Sequence, residues 1–284
     1  TIHTGTFTDD PPDGSWWYGL HAVDALQQNI GTEVSPIFIN KVPAGAGIAI
    51  SLNPGITYQT MNGWEAVAWI EATDSPEEIA NFWRWQSTVN SGAVNTFGIN
   101  RLRIELKSGE ENNQDHFSDY IAGKIPRTIW KANWYQPIND NADPFSFNWA
   151  GFQFSSLDFQ IDNIVLPLRS HLAANGESLY LNLNYVDFGA GSFEHYENPN
   201  EYAEYITAAF IHMDGVYGFV PDAVEVILEP DLASGWSTAN IANAIIAAAN
   251  RLESYGYTPD FIAPSTTKGS NAQSYFDSII AVPG

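Results

Sequence analysis

The chain has 284 residues, of which 44% are hydrophobic, and this is enough to form one large α/β domain and argues against a disordered protein. Aspartate and glutamate number 33 against 11 lysines and arginines, and the resulting net charge of -22 argues strongly against a nucleic-acid backbone or an anionic membrane surface as partner. No cysteine is present, which excludes disulfides, thiol nucleophiles and thiolate metal sites.

Residues 1–56 are rich in Asp, Pro and Gly, and we interpret them as an irregular N-terminal extension that packs against the main domain. Short apolar runs at 37–39 and 47–52 predict two strands within this extension. The chain opens on Thr1 without a basic-then-apolar leader, which fits a mature secreted protein whose leader has been removed and fits a trimmed chain equally well. We expect a secreted or extracellular protein. No apolar run approaches the roughly 20 residues that a membrane-spanning helix needs.

From residue 57 to residue 284, strand and helix patterns alternate, as is typical of βα units on a parallel sheet. The five predicted strands lie near 57–69, 101–106, 178–187, 223–229 and 260–264. Five helices are predicted. The first begins near Ser75, and the other four cover 158–174, 199–217, 237–252 and 270–280. Because a closed barrel has eight such units, we predict a TIM (β/α)8-type barrel of which this chain holds about five. An open five-stranded sheet is the alternative, but it would need helices on both faces and protection of two edge strands.

Glu229 ends the fourth predicted strand, which begins at Ala223 and is rich in Val, Ile and Leu. Pro230 cannot donate to a strand ladder and favours an extended conformation for Glu229 as the strand stops. In α/β barrels the C-terminal ends of the strands carry the active site. A carboxyl group that is desolvated there can hold a proton near neutral pH, so we predict that Glu229 is a general acid/base.

Polar side chains also alternate along the second and third strands. Arg101, Arg103 and Glu105 share one face of the second strand, where a guanidinium could orient a carboxylate or form a structural salt bridge with Glu105. Asn182 and Asn184 share one face of the third strand, with Tyr185 and Asp187 beyond them. These groups suit hydrogen bonds to sugar hydroxyls, and structural hydrogen bonds inside a barrel are the competing interpretation.

Aromatic and acidic residues outside the strands offer further candidates. Trp64, Trp69 and Trp236 lie near predicted strand ends, where they would either stack on sugar rings or pack in the core. We expect His195, in the loop after the third strand, to be solvated. Asp140, Asn141 and Asp143 offer oxygen ligands that a structural calcium ion could use, although the glycine and final glutamate of an EF-hand loop are missing. We predict no other metal site and no cofactor.

Several segments resemble the retaining glycoside hydrolases built on (β/α)8 barrels, most closely families 30 and 39. The resembling segments are Tyr-Gln-Thr-Met-Asn-Gly-Trp-Glu at 58–65, Gly-Ile-Asn-Arg-Leu-Arg-Ile-Glu at 98–105, Tyr-Ala-Glu-Tyr at 202–205 and Glu-Pro-Asp at 229–231. Together they cover about residues 56–284. The resemblance implies that Glu229 is the acid/base, because in these families the glutamate that ends the fourth strand has that role. It also implies that Arg103 orients the nucleophile.

Two features of the sequence depart from the family pattern. Leu228 stands where the families have an asparagine that contacts the sugar. The families place their nucleophile at the end of a seventh strand, so we expect the nucleophile to lie outside this chain, in further residues or in a second polypeptide. A retaining mechanism requires the two carboxyl groups to be about 5 to 5.5 Å apart. An inverting route would need a second acid from this chain, for which Glu65, Glu105 and Asp231 are the candidates.

The sequence therefore predicts a secreted glycosidase that cleaves a polysaccharide or oligosaccharide, with Glu229 as its catalytic residue. The predicted substrate-binding residues are Trp64, Glu65, Arg103, Asn182, Asn184, Tyr185, Asp231 and Trp236. The alternative is a non-catalytic glycan-binding protein on the same scaffold, which Leu228 and the missing second carboxylate both favour.

Overall fold

The structure is a computed structural model. It describes the side chains and backbone of residues 62–68, 90–189 and 191–284, and the backbone of residues 14–20 and 34–41. The chain divides into two compact units, 1–62 and 63–284. The predicted strand at 47–52, the first part of the strand at 57–69, the helix that begins near Ser75 and the candidate Trp69 lie outside the described residues.

The first unit contains an antiparallel hairpin of two strands. Strand β1 (Gly14–Leu20) pairs with β2 (Val34–Lys41), with Trp16 opposite Ile39. The strand predicted at 37–39 lies within β2 and is confirmed. Strand β1 was not predicted, because its aromatic residues, which favour strands, are surrounded by Asp, Pro and Gly.

The second unit contains a parallel sheet of five strands in sequence order. These are β3 (Trp64–Val67), β4 (Ile99–Lys107), β5 (Tyr180–Val186), β6 (Ala223–Glu225) and β7 (Asp260–Ile262). Each neighbouring pair is parallel, which confirms the α/β class. Because parallel crossovers are right-handed, connecting neighbouring strands in this order places the connecting helices on one face of the sheet.

The helices of the second unit follow the predicted pattern closely. After helical residues 90–95, they are α1 (His116–Ile121), α2 (Arg127–Ala132), α3 (Ser155–Gln160), α4 (Leu166–Ala174), α5 (Pro199–Tyr217), α6 (Thr238–Ser254) and α7 (Gly269–Ile280). A π-helical turn, Ile161–Val165, joins α3 to α4. Within the part of the chain that the structure describes, no helix has the length and apolar character needed to cross a bilayer.

The ends of α5 and α6 are set by identifiable residues. Pro199 occupies the first turn of α5, where a missing N–H costs nothing, and Gly218 ends that helix with a φ of 71°. The side chain of Ser237 accepts a hydrogen bond from the backbone N–H of Asn240 and caps α6. The sequence therefore predicted the ends of these two helices to within two residues.

The sheet has one apolar face and one polar face. Leu102, Ile104 and Leu106 of β4 are at most 2% exposed, and they share a core cluster with Leu168, Ile206, Ile241 and other helical side chains. The alternate residues form what we call the polar face, whose members are Arg103, Glu105, Lys107, Asn182, Asn184 and Glu225. Burial of the first set holds the helices against the sheet, and the second set is left for polar contacts.

Strand β6 is shorter than predicted. It ends at Glu225 rather than at Glu229. Beyond that point, the N–H of Val226 still donates to Ile262 O at 3.2 Å and that of Leu228 to Tyr185 O at 3.0 Å. Isolated hydrogen bonds of this kind keep residues 226–228 beside both neighbouring strands without a continuous ladder. Glu229 therefore still follows the fourth strand of the parallel sheet.

A long segment between β4 and α3 begins with a 3₁₀ turn, Ser108–Glu110, and passes close to its own later residues. The N–H of Gly109 donates to Trp134 O at 2.9 Å. A Cβ atom at position 109 would lie only 1.9 Å from Asn133 O. Glycine is therefore required here because two backbone segments are in contact.

We expect Gly109→Ala to lower the free energy of unfolding by about 1–3 kcal/mol, because the added methyl group must displace backbone atoms. Urea denaturation measures this change. The matched control is Gly92→Ala, because a Cβ at position 92 meets nothing within 4 Å and alanine favours helix. Equal urea midpoints for Gly109→Ala and the wild type would contradict the close packing of this turn.

Candidate functional site

Glu229 lies at the carboxyl edge of the sheet, by which we mean the edge where β3 to β7 end. It is half-buried, and its backbone has a φ of 51°. The prediction that Pro230 keeps Glu229 extended was therefore wrong. The left-handed conformation lets the Glu229 N–H donate to Ser265 O at 3.1 Å while its carbonyl accepts from Leu232 N and Ala233 N. These three bonds turn the chain at the residue where an extended strand would have continued.

The backbone conformation of Glu229 is costly for a residue with a side chain. A non-glycine residue in the left-handed region costs on the order of 1–3 kcal/mol, and such residues cluster at functional sites. Ser265, which follows β7, also has a positive φ, 44°. Among the described residues, no hydrogen-bond donor reaches the Glu229 carboxylate. The strain therefore fixes the backbone beneath a carboxylate that is free to meet a ligand.

Four carboxylates affect the ionisation of Tyr135, which comes from the long segment after β4. Burial raises the pKa of the Tyr135 hydroxyl, and the carboxylates of Glu105, Asp187, Glu110 and Glu229 raise it further. Tyr135 thus stays neutral at physiological pH and can donate its hydroxyl proton. We call Glu105, Glu110, Asp187 and Glu229 the acidic group, because all four raise the pKa of Tyr135.

Glu110 is a buried member of this group. It is 8% exposed, and no hydrogen-bond partner reaches either of its carboxylate oxygens among the described residues. Burial raises the pKa of Glu110 to about 7, and Lys107 only partly offsets this effect. Sequence analysis missed Glu110, although its position three residues after the end of β4 is a signal that could have pointed to it.

Asp187 and Trp236 hold one another in the interior near the carboxyl edge. Asp187 is 2% exposed and accepts from Ser108 Oγ at 3.0 Å and from Trp236 Nε1 at 3.5 Å. Trp236 is also 2% exposed, and its ring packs against Tyr185 and Tyr202. The structure thus places Trp236 in the core, where its ring is covered by other aromatic rings.

A buried hydrogen-bonded chain lies behind Asp187. The hydroxyl of Tyr185 lies 2.9 Å from His195 Nδ1, and His195 Nε2 lies 2.7 Å from Glu111 Oε2. With Nε2 donating to the carboxylate, Nδ1 is the acceptor for the tyrosine hydroxyl. His195 is fully buried, so the prediction of a solvated loop histidine was wrong. Tyr185 likewise lies on the apolar face of the sheet and not beside Asn182 and Asn184.

We expect Tyr185→Phe to lower the free energy of unfolding by about 1–3 kcal/mol, because buried His195 Nδ1 loses its donor. Urea denaturation is the measurement. Tyr255→Phe is the matched control, since Tyr255 is 47% exposed. If the two variants unfold at the same urea concentration, the buried chain has no energetic importance.

On the polar face, the ion pairs differ from the predicted ones. Arg103 NH1 lies 3.5 Å from Glu225 Oε1, and Asn182 Nδ2 donates to Glu225 Oε2 at 2.8 Å. The predicted bridge between Arg103 and Glu105 was wrong, because Glu105 instead pairs with Lys107 at 3.3 Å. Arg103 instead pairs with Glu225, which lies on β6, two strands away from β4 in the sheet. Residue spacing within β4 could not predict this pair.

Several polar groups on this face have no partner among the described residues. Both amide atoms of Asn184 are buried and unpaired, as are Asn182 Oδ1 and Arg103 Nε. Glu65 of β3 pairs in register with Arg101 on the neighbouring strand. Burial raises the pKa of Glu65, and the carboxylate of Glu225 raises it further. Buried polar groups are normally paired, so this face has hydrogen-bonding capacity in reserve.

Two further predicted residues have other positions. Trp64 begins β3 and is level with Ile99, so it lies at the edge opposite Glu229. Asp231 accepts hydrogen bonds from Thr267 N and Oγ1, both at 2.8 Å, and from Asn271 Nδ2 at 3.0 Å. These bonds connect the loop after β6 to the start of α7. Leu228 is half-buried and offers no hydrogen bond from its side chain.

The described residues thus define an α/β protein whose parallel sheet has a half-buried glutamate, Glu229, at its carboxyl edge. Such an arrangement can exchange a proton with a bound molecule and donate hydrogen bonds from neutral groups. It provides no thiol and no phosphate-binding glycine loop.

No protein-family model matches the chain, and no curated protein matches it. Among solved structures, it is similar to a β-glycosidase from the hyperthermophile Thermosphaera aggregans, with 11% identity and a TM-score of 0.36 over 70% of this chain and 52% of that one. It is also similar to a conserved exported protein from Bacteroides fragilis, with 10% identity and a TM-score of 0.42 over 76% of this chain and 46% of that one. The chain therefore spans about half the length of each, and no residue role is transferred from either.

Proposed function

We propose that the protein is a glycoside hydrolase with a TIM-barrel-type catalytic domain, and that Glu229 is its general acid/base. The observation that carries this proposal is the position of Glu229. Glu229 follows the fourth strand of the parallel sheet and has a strained backbone conformation. Among the described residues, no donor forms a hydrogen bond with its carboxylate. Catalytic groups of barrel enzymes lie at this edge of the sheet.

In the proposed reaction, Glu229 protonates the glycosidic oxygen as the bond to the anomeric carbon breaks, and the leaving sugar departs as a neutral alcohol. In a retaining mechanism, a second carboxylate attacks the anomeric carbon and forms a covalent glycosyl intermediate. Glu229 then removes a proton from the water that hydrolyses this intermediate. We assign the second carboxylate to residues outside this chain, either further strands of the same protein or a second polypeptide.

The neighbouring polar groups suit a sugar substrate. Tyr135 can donate its hydroxyl proton beside Glu229, and Asn184 has an unpaired amide on the polar face. Arg103 and Asn182 orient the Glu225 carboxylate. We propose Glu65, Arg103, Asn182 and Asn184 as supporting residues. A polysaccharide is too large to enter a cell intact, so the proposal includes secretion.

Reducing-end release from a panel of β-linked polysaccharides and oligosaccharides tests this function in the full-length protein. Release from at least one glycan, with retained anomeric configuration by NMR, is the expected result. Failure on every glycan that the protein binds would overturn the proposal.

The second candidate is a glycan-binding protein without catalysis. Leu228 favours it, because its side chain cannot contact a sugar hydroxyl at the position next to Glu229. Calorimetry on the same glycan panel separates the two candidates: binding without any release of reducing ends supports this second function.

A further inference from the structure

Three carboxylates converge in a separate place, between the long segment after β4 and helix α5. One oxygen from each of Asp140, Glu201 and Glu204 lies within 4.8 Å of the oxygens from the other two. Glu201 and Glu204 are 8% and 1% exposed, and they are three residues apart on one side of α5. One guanidinium, that of Arg251, contacts this group, at 3.2 Å from Glu204 Oε1. Among the described residues, no cationic side chain contacts the other two carboxylates.

In both Asp140 and Glu204, one carboxylate oxygen accepts a hydrogen bond and the other has no donor among the described residues. Asp140 Oδ2 accepts from the N–H of Asn148 at 2.6 Å, whereas Asp140 Oδ1 is buried and has no donor among the described residues. Glu204 Oε1 accepts from Arg251, and Glu204 Oε2 is likewise buried without a donor. The donors therefore orient both carboxylates and leave one oxygen of each unsatisfied.

Asn139 contributes a third unsatisfied oxygen. Its Nδ2 donates to Glu201 Oε1 at 3.2 Å, which places the amide beside the carboxylates, while its Oδ1 is buried without a partner in the described part of the chain. Burying unpaired anionic and amide oxygens is costly unless a cation or donor compensates them. Arg251 is the one cationic side chain in contact with this group among the described residues.

We propose that Asp140, Glu201 and Glu204 bind a divalent cation, Ca²⁺ in preference to Mg²⁺, with Asn139 Oδ1 as a further ligand. An all-oxygen ligand set selects hard cations. Ca²⁺ accepts about six to eight oxygen ligands at about 2.3–2.6 Å in flexible geometry, whereas Mg²⁺ requires near-ideal octahedral geometry at about 2.0–2.1 Å and keeps several of its waters, so a set of side-chain oxygens favours Ca²⁺. A charge of +2 also suits the two carboxylates that no cationic side chain of the described residues contacts.

This site differs from the calcium site predicted from sequence. Asn141 Oδ1 accepts from the N–H of Asp143 at 2.7 Å, and Asp143 Oδ1 accepts from that of Phe145 at 3.2 Å. Both side chains therefore stabilise turns in their own loop, and only Asp140 is shared. A cation at the proposed site would attach this loop to α5.

Isothermal titration of EDTA-treated, full-length protein with CaCl2 tests the proposal, and MgCl2 is titrated separately. We expect one Ca²⁺ per chain with a Kd of about 1 mM or tighter, and weaker binding of Mg²⁺. Glu204→Gln should weaken Ca²⁺ binding at least tenfold, and Glu201→Gln is the second variant in case the first does not fold. Glu197→Gln is the control, because Glu197 is exposed and belongs to no part of the group.

Thermal unfolding supplies an independent readout. We expect CaCl2 to raise the Tm of the wild type and of Glu197→Gln relative to EDTA, and not that of Glu204→Gln. Absence of Ca²⁺ and Mg²⁺ binding by the folded wild type would overturn the proposal. So would a Glu204→Gln variant that binds Ca²⁺ as the wild type does. A higher Tm for Glu204→Gln in EDTA and in CaCl2 alike would instead indicate that Glu201 and Glu204 share a proton.

Discussion

Glu229→Gln is expected to lower kcat on a glycan by about 10²- to 10⁴-fold, because glutamine has the shape of glutamic acid and cannot supply the proton that the leaving sugar needs. The loss of kcat/KM should be much smaller for a dinitrophenyl glycoside, whose leaving group departs without protonation, whereas kcat on this substrate should still fall because hydrolysis of the glycosyl intermediate needs Glu229 as its base. Steady-state kinetics on both substrates in the full-length protein measure the difference. Added azide should restore part of the turnover of the dinitrophenyl glycoside, since an anionic nucleophile needs no general base.

Glu253→Gln is the matched control for this experiment, because Glu253 is exposed in the last turn of α6 and is not one of the candidate-site residues. Its kcat on both substrates should equal that of the wild type. An equal loss of kcat/KM on the natural glycan and on the dinitrophenyl glycoside would assign Glu229 a structural or binding role. Unchanged turnover of Glu229→Gln would remove it from the mechanism.

Glu110 should make the protein less stable as the pH rises from about 4.5 to about 7. Burial raises the pKa of Glu110 in the folded protein to about 7, against 4.5 for an ordinary glutamate, so the folded state holds the extra proton between these values. Ionisation above pH 7 then leaves a buried charge, and the difference between the two pKa values corresponds to about 3 kcal/mol. Lys107 is the nearest compensating charge and is already paired with Glu105.

We therefore expect Glu110→Gln to be more stable relative to the wild type at pH 8.5 than at pH 5, by up to about 3 kcal/mol. Urea denaturation at both pH values measures this difference. Glu177→Gln is the control, because Glu177 is exposed. A difference between Glu110→Gln and the wild type that is the same at both pH values would show that Glu110 is not buried as described.

The parts of the fold that the sequence predicted are those controlled by local chemistry. Alternation of apolar and polar residues defined β4, and Pro199 defined the start of α5. Strand β6 was predicted too long because apolar residues continue to Leu228, and only the pairing with β5 and β7 shows where the ladder ends. Strand β1 was missed because its surroundings are rich in turn-forming residues.

The candidate site was predicted only where it depends on position along a strand. Glu229 was found because it ends an apolar run before a proline. The partner of Arg103 was misassigned because Glu225 lies 122 residues away in sequence. Tyr135, Glu110 and His195 come from loops, and their burial depends on how distant segments pack. No spacing rule within a loop predicts a contact of that kind.

The hydrogen bond from Glu229 to Ser265, together with those from Thr267 and Asn271 to Asp231, joins two successive βα loops. The backbone position of Glu229 thus depends on the loops after β6 and β7 and not on β6 alone. Because the loops are ordered when the protein folds, an arriving substrate need not spend binding energy on ordering the acid. If Glu229 is the proposed acid/base, replacing Asp231 should change catalytic efficiency through the position of Glu229.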